Sequence, residues 1–178
     1  GLGDVYKRQG FMWRKYFDEN PINDLNSYSA VTPVIRYAEV LLSYLECLIE
    51  SGQAIDQTVL NLTINQVRGR ADVKMPPITE TNSDKLRELL RNERRVELAF
   101  EGIRYWDLLR WKLAETVLVG EVWGAPYPKS TTYAGSTKFV DPTGHCRWYV
   151  GRRDFRNPQD YKWPIPLSEQ NINPNLRE

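Results

Sequence analysis

Between residues 36 and 117 the apolar positions recur with helical spacing. Leu41, Leu42, Leu45, Leu48 and Ile49 repeat at i, i+3, i+4 and i+7, which lays one apolar stripe along a helix beginning at Arg36. Ser51-Gly52 ends it, because glycine adopts the left-handed backbone of a helix stop. A second helix is predicted over 56–70, with Asp56 as N-cap and Val59, Leu60, Ile64 and Val67 facing inward. The two make an antiparallel helical hairpin. After the Pro76-Pro77 break, Ser83 or Asp84 caps a long third helix that runs to about Glu101, where Gly102 stops it. Tyr105, Leu108, Leu109 and Leu113 give a fourth helix over about 104–117, so four helices in two hairpins are expected.

The flanks read differently. Residues 1–9, GLGDVYKRQ, relate to nothing that follows and read as a non-native or artefactual leader, set apart from a domain over 10–178. That domain divides into a helical core at about 36–117 and an irregular segment at about 118–178. Residues 10–33 are aromatic and then polar, with Pro21 and Pro33, and suggest an extended entry. Over 120–161 periodicity vanishes amid Gly, Pro, Thr and the aromatics Trp123, Tyr127, Tyr133, Phe139, Trp148, Tyr149 and Phe155. A structureless stretch this long is usually functional or packed on a scaffold. An apolar anchor would order it, so at least one of Trp123 and Trp148 is expected to lie mostly buried against the fourth helix. Three prolines in the terminal YKWPIPLSEQNINPNLRE exclude a long helix there, leaving one turn at 168–172. The expected fold class is mainly α: tetratricopeptide-like helical hairpins covered by a long irregular C-terminal segment.

Composition narrows the functions. The 178 residues suit one core-forming domain, and the 41% apolar and 26% charged shares are ordinary for a globular protein. A net charge of +1 gives no broad positive field, so nucleic acid is not expected as a partner. Arginine outnumbers lysine 16 to 8, which favours planar, bidentate pairing inside the fold. Cys47 and Cys146 form no CxxC pair, give no zinc spacing, and leave the redox compartment open. His145 is the one histidine, too few for a multi-histidine metal site and most simply solvated; no metal and no cofactor are expected. No stretch approaches the roughly 20 apolar residues of a membrane span, so membrane attachment is expected only through sequence outside this chain.

On a wheel of about 100° per residue, Leu86, Leu89, Leu90, Val96 and Phe100 form the apolar arc of the third helix. Glu93 and Glu97 fall in its middle, Arg94 and Glu101 flank it, and Arg87, Arg91 and Arg95 point away. Buried carboxylates need buried cations, drawn from Arg36, Arg68, Arg94, Arg104 and Arg110. The expected result is a structural ion-pair network of Arg36, Glu93, Arg94, Glu97, Glu101, Arg104 and Asp107 that locks helix pairs. The alternative is a glycosidase-like acid pair, since one helical turn separates Glu93 from Glu97, close to the roughly 5–5.5 Å of retaining enzymes. That pair requires an open cleft, which a leucine-lined helix interior does not offer.

Four runs carry a resemblance: PVIRYAEVLLSYLECLIESG, INQVRGRADV, LRNERRVELAFEGIRYWDLLRW and YKWPIPLSEQNINPNL. Their order and spacing resemble the C-terminal region of SusD/RagB proteins over most of 33–176. The stretch ERRVELAFEGIRYWDLLRW is the most specific, and the closing PIP-x-x-E-x-x-x-NP-x-L pattern supports it. The resemblance implies tetratricopeptide-like helix pairs, no enzyme activity, and exposure at the outer surface of Bacteroidetes. It further implies a lipid anchor on an N-terminal cysteine outside this chain, which excludes Cys47 and Cys146 from that role. The implied partners are a SusC-like TonB-dependent transporter and an oligosaccharide or other nutrient. Ligand-contacting aromatics in that family come largely from upstream segments, so the resemblance implies scaffold without a complete site for this region.

Glycan binding uses flat aromatic faces against sugar rings, and Trp123, Tyr127, Trp148 and Tyr149 are the candidates. Packing that pins the segment to the helices is their simpler role. The competing function is a helical-repeat scaffold that binds only protein through a concave surface.

Overall fold

The computed structural model describes residues 15–16, 33–126 and 140–176. The chain forms two compact units, Trp13–Asp107 and the combination of Gly1–Met12 with Leu108–Glu178. Among the described residues no helix is long and apolar enough to cross a membrane.

In the first unit, α1 (Tyr37–Glu50) buries Ala38, Leu41, Leu42, Leu45, Leu48 and Ile49 on one face. It stops where the Ser51 N–H donates to the Cys47 carbonyl and Gly52 turns left-handed at φ +71. Asp56 caps α2 (Gln57–Leu62) by accepting from the Val59 N–H at 2.8 Å. The single helix expected over 56–70 is split: Thr63 leaves the helical region at φ −123, ψ −100, its hydroxyl donating to the Val59 carbonyl at 2.6 Å, and α3 (Ile64–Arg68) starts afresh. Both halves still point Leu60, Ile64 and Val67 into the core. The Asn65 side chain then donates to the Ile78 carbonyl at 2.9 Å and accepts from the Ile78 N–H at 2.7 Å, fastening the Pro76-Pro77 loop.

Asn82, rather than Ser83 or Asp84, caps α4 (Ser83–Glu97). The helix also ends one turn earlier than expected, because Phe100 at φ +64 and Gly102 at φ +78 reverse the chain. The apolar arc rotates accordingly. Leu86, Leu90, Glu93 and Arg94 face the core, while Val96 and Phe100 are 62% and 70% exposed and Leu89 is also exposed. Arg94, placed at the flank by the wheel, enters the interior because Asp107 is there to neutralise it. The core joins these faces of α1, α2, α3 and α4.

The helix expected over 104–117 is two: α5 (Ile103–Arg110) and α6 (Ala114–Val117), divided at Lys112 with φ +55. In the second unit the region expected to be structureless holds an antiparallel pair, β1 (Gly120–Pro126) and β2 (Arg147–Arg153). The register sets Glu121 opposite Arg152, Val122 opposite Gly151 and Trp123 opposite Tyr149, with irregularities on either side of Trp123. A turn of 3-10 helix at Gln159–Tyr161 follows, where Phe155 and Lys112 meet the Tyr161 ring at 4.8 and 4.1 Å. The turn expected at 168–172 is a short helix, α7 (Leu167–Ile172), and Pro174–Leu176 closes the described chain with a further 3-10 turn.

Candidate functional site

Two sets of side chains merit attention, one in each unit. In the helical unit an arginine–carboxylate network gathers at the C-terminal end of α4. Arg36, at the N-cap of α1, donates through Nε and Nη2 to both Glu101 oxygens at 3.0 and 2.7 Å. Its Nη1 lies 2.9 Å from Glu97 Oε1, and Nη2 also donates to the Glu97 carbonyl. Lys15 contacts Glu101 and donates to the carbonyls of Glu97 and Ala99, groups that a helix end leaves without intrahelical partners. Arg70 grips Glu97 with both Nη atoms, at 2.7 and 3.1 Å. Arg68 donates to Glu93. Arg94 sets its fork on Asp107 at 3.0 and 3.1 Å, donates to the Ser43 hydroxyl, and lies 3.8 Å from Glu46.

The electrostatics follow from these contacts. Burial alone would raise the Glu101 carboxyl, yet hydrogen bonds from Arg36 and Lys15 outweigh it and hold the group below its ordinary value. Arg36 is held above its own ordinary value, chiefly through its hydrogen bond to Glu101. Burial pushes the Tyr16 phenol up, with Arg36 opposing and Glu101 and Glu97 adding to the rise. Burial and the like charge of Arg95 lower Arg104 from its ordinary value, against the pull of Asp107. The lone pairs of Glu93 and Glu97 face guanidinium groups, whereas a glycosidase pair must face a substrate.

The wheel brings Glu93 and Glu97 inward but does not reveal Arg70, Lys15, Ser43 or Glu46 as partners. Arg70 owes its position to the turn after α3, where Val73 and Lys74 N–H groups donate to its carbonyl and Met75 donates to that of Arg68. INQVRGRADV carries a weak signal for this in Gly69, whose Cβ would lie 2.9 Å from the Asn65 carbonyl.

In the second unit the β1–β2 ladder juxtaposes two aromatic candidates. Trp123 and Tyr149 are cross-strand partners with rings 5.3 Å apart at 69°, an edge-to-face contact. Tyr149 is exposed, while Trp123 and Trp148 are both partly buried. Trp148 adjoins Tyr149 in β2, so strand alternation directs the two to opposite faces. Tyr127, Tyr133 and Phe139 lie outside the described residues. A carboxylate-centred turn leads into β2: buried Asp141 accepts from the Thr143 N–H, the Thr143 hydroxyl and the His145 N–H, and pairs with Arg147 at 3.2 Å. The Thr143 hydrogen bond is the main reason that Asp141 titrates below its ordinary range. His145 is exposed beside Thr143, and Cys47 and Cys146 are free thiols. Among the described residues no group of three or more His, Cys, Asp or Glu side chains could hold a metal ion.

Comparison with known proteins gives consistent matches. The model of the SusD family matches residues 4–178. SusD-like protein P38 of Formosa agariphila is 34% identical over 92 residues, 48% of this chain and 18% of that protein. SusD-like protein P2 of the same organism is 37% identical over 89 residues, 47% of this chain and 17% of its own length. The chain thus spans about a fifth of the length of these relatives. Among solved structures, a SusD-like carbohydrate binding protein from Bacteroides fragilis superposes with a TM-score of 0.86 at 67% identity, covering 96% of this chain and 33% of that one. A second SusD-like protein from that species gives a TM-score of 0.61 at 28% identity, over 85% of this chain and 26% of its own.

Proposed function

We propose, because the chain belongs to the SusD family, that it is part of a non-catalytic glycan- or nutrient-binding protein. The observation that carries this reading is the 67% identity, over 96% of the chain, to a SusD-like carbohydrate binding protein. In this reading the protein acts at the outer-membrane surface, held by a lipid anchor beyond this chain, and delivers ligand to a SusC-like TonB-dependent transporter. The helical unit serves as scaffold, because its carboxylates are engaged by arginines. The β1–β2 aromatics are the contact candidates. Tyr149 offers an exposed ring braced edge-on by Trp123, Trp148 belongs to the opposite face of the ladder, and Tyr127 is a candidate from the sequence.

A protein-only scaffold is the second reading, favoured by the exposed Tyr37, Val40 and Tyr44 on α1. Glycan-array binding by the full-length gene product separates the two. Saturable binding to at least one glycan, weakened about tenfold by Tyr149→Ala without a fall in melting temperature, supports the glycan reading and the platform together. An array without a hit, beside a stable complex with a partner protein, supports the scaffold.

A further inference from the structure

We propose that a cleft beside α1 and α3 is a second ligand site, suited to the carboxylate of an acidic sugar ring. A cavity of about 460 Å³ opens there, within the range of small-molecule sites. Ala38, Leu41 and Val67 contribute apolar lining, Arg36, Gln66 and Arg70 polar lining, and Tyr37, 68% exposed, also lines it.

The hydrogen-bond inventory selects the ligand. An arginine carries five N–H donors and no acceptor. Arg70 gives one N–H from each Nη to Glu97, which leaves a second N–H on each and the Nε group unspent on that carboxylate. Its Nε is buried, makes no hydrogen bond among the described residues and lies 3.6 Å from an Asp72 oxygen, so the donors open to a ligand are those on the Nη atoms. The surrounding cluster sets Lys15, Arg36 and Arg70 against Glu97 and Glu101, three positive charges to two negative. Asp72 would balance the third, but its side chain is 78% exposed and its pull on Arg70 is weakened by solvent. A cavity with spare donors, a residual positive charge and apolar lining matches a ligand with acceptor oxygens on a compact ring bearing one C–H face. A hexuronate has that form, its carboxylate accepting from an Arg70 N–H that Glu97 leaves unused and its ring lying against Tyr37.

The site uses none of the β1–β2 aromatics. The choice of a sugar over another ring carboxylate rests on the glycan-binding reading, whereas the carboxylate preference rests on the cavity alone. Calorimetric titration of the full-length gene product with galacturonate, glucuronate, glucose and benzoate tests both. Either uronate should bind at least about tenfold more tightly than glucose, the effect of a charge-assisted hydrogen bond, and should weaken with added salt. Asp72→Asn should tighten uronate binding about two- to fivefold, and Tyr37→Ala should weaken it with the melting temperature held. Trp123→Ala should leave it unchanged. Equal affinity for uronate and glucose, or indifference to both Asp72→Asn and Tyr37→Ala, overturns the site. Benzoate binding without uronate binding overturns the sugar assignment. Loss of neutral-glycan binding in Trp123→Ala, with uronate affinity intact, shows that the two sites are separate.

Discussion

Arg94 and Asp107 are both buried, and each supplies the charge that makes the other tolerable. Removing the acid leaves Arg94 with the Ser43 hydroxyl and a Glu46 carboxylate 3.8 Å away. Asp107→Ala should therefore cost about 3–5 kcal/mol in chemical denaturation, the penalty of breaking a buried pair; a loss under about 1 kcal/mol would show that Glu46 takes over. Glu101 gives the network a pH signature. Its carboxyl titrates below the unfolded value in the folded chain, so between the two values the unfolded state binds more protons and stability rises with pH. The contribution is complete above the unfolded value of about 4.3 and disappears as pH falls through the lowered folded one. Denaturation midpoints from about pH 7 down to about pH 3 should drop less steeply in Glu101→Gln, and parallel curves would contradict the assignment. At this scale the wheel makes two inward carboxylates legible from LRNERRVELAFEG. Their partners depend on a turn and an entry segment whose course no periodicity encodes, which hides Arg70 and Lys15.

The elements were legible in kind and less so in extent. Strong stripes, such as Leu41 through Ile49, mark α1 because burial of one continuous face decides the matter. Boundaries moved where single residues adopt conformations that periodicity does not encode: Thr63 splits a helix, Phe100 ends one, and Lys112 divides another. The β1–β2 pair stayed hidden because Gly124 and Gly151 interrupt its strands and a long connection separates them. The turn that positions Arg70 is open to test, since Lys74 holds φ +49 there while exposed to solvent. A side chain in that region costs about 1–2 kcal/mol, and glycine returns part of the gain as lost unfolded-state restriction. Lys74→Gly should raise stability by about 0.5–1 kcal/mol in urea titration. A decrease would mean that the lysine side chain holds the turn through a contact of its own.

At the scale of the whole molecule, four ordered motifs suggested the family more strongly than any fold feature, and the family model matches residues 4–178. The ligand was not legible in the same way. The chain corresponds to 33% of the chain of the SusD-like carbohydrate binding protein, so surfaces that the rest of such a protein contributes lie outside it. Within it, helix faces are fixed by burial, whereas whether Trp123, Tyr127, Trp148 or Tyr149 meets a sugar depends on which rings are open to ligand, which no periodicity encodes. We propose that this protein binds glycan without cleaving it. Calorimetric titration of the full-length gene product with its best array glycan, followed by reducing-end assay of the same mixture, tests that most directly. The expected result is saturable binding with no new reducing ends. Release of reducing ends that disappears in Glu93→Gln, or no binding to any glycan offered, would contradict it.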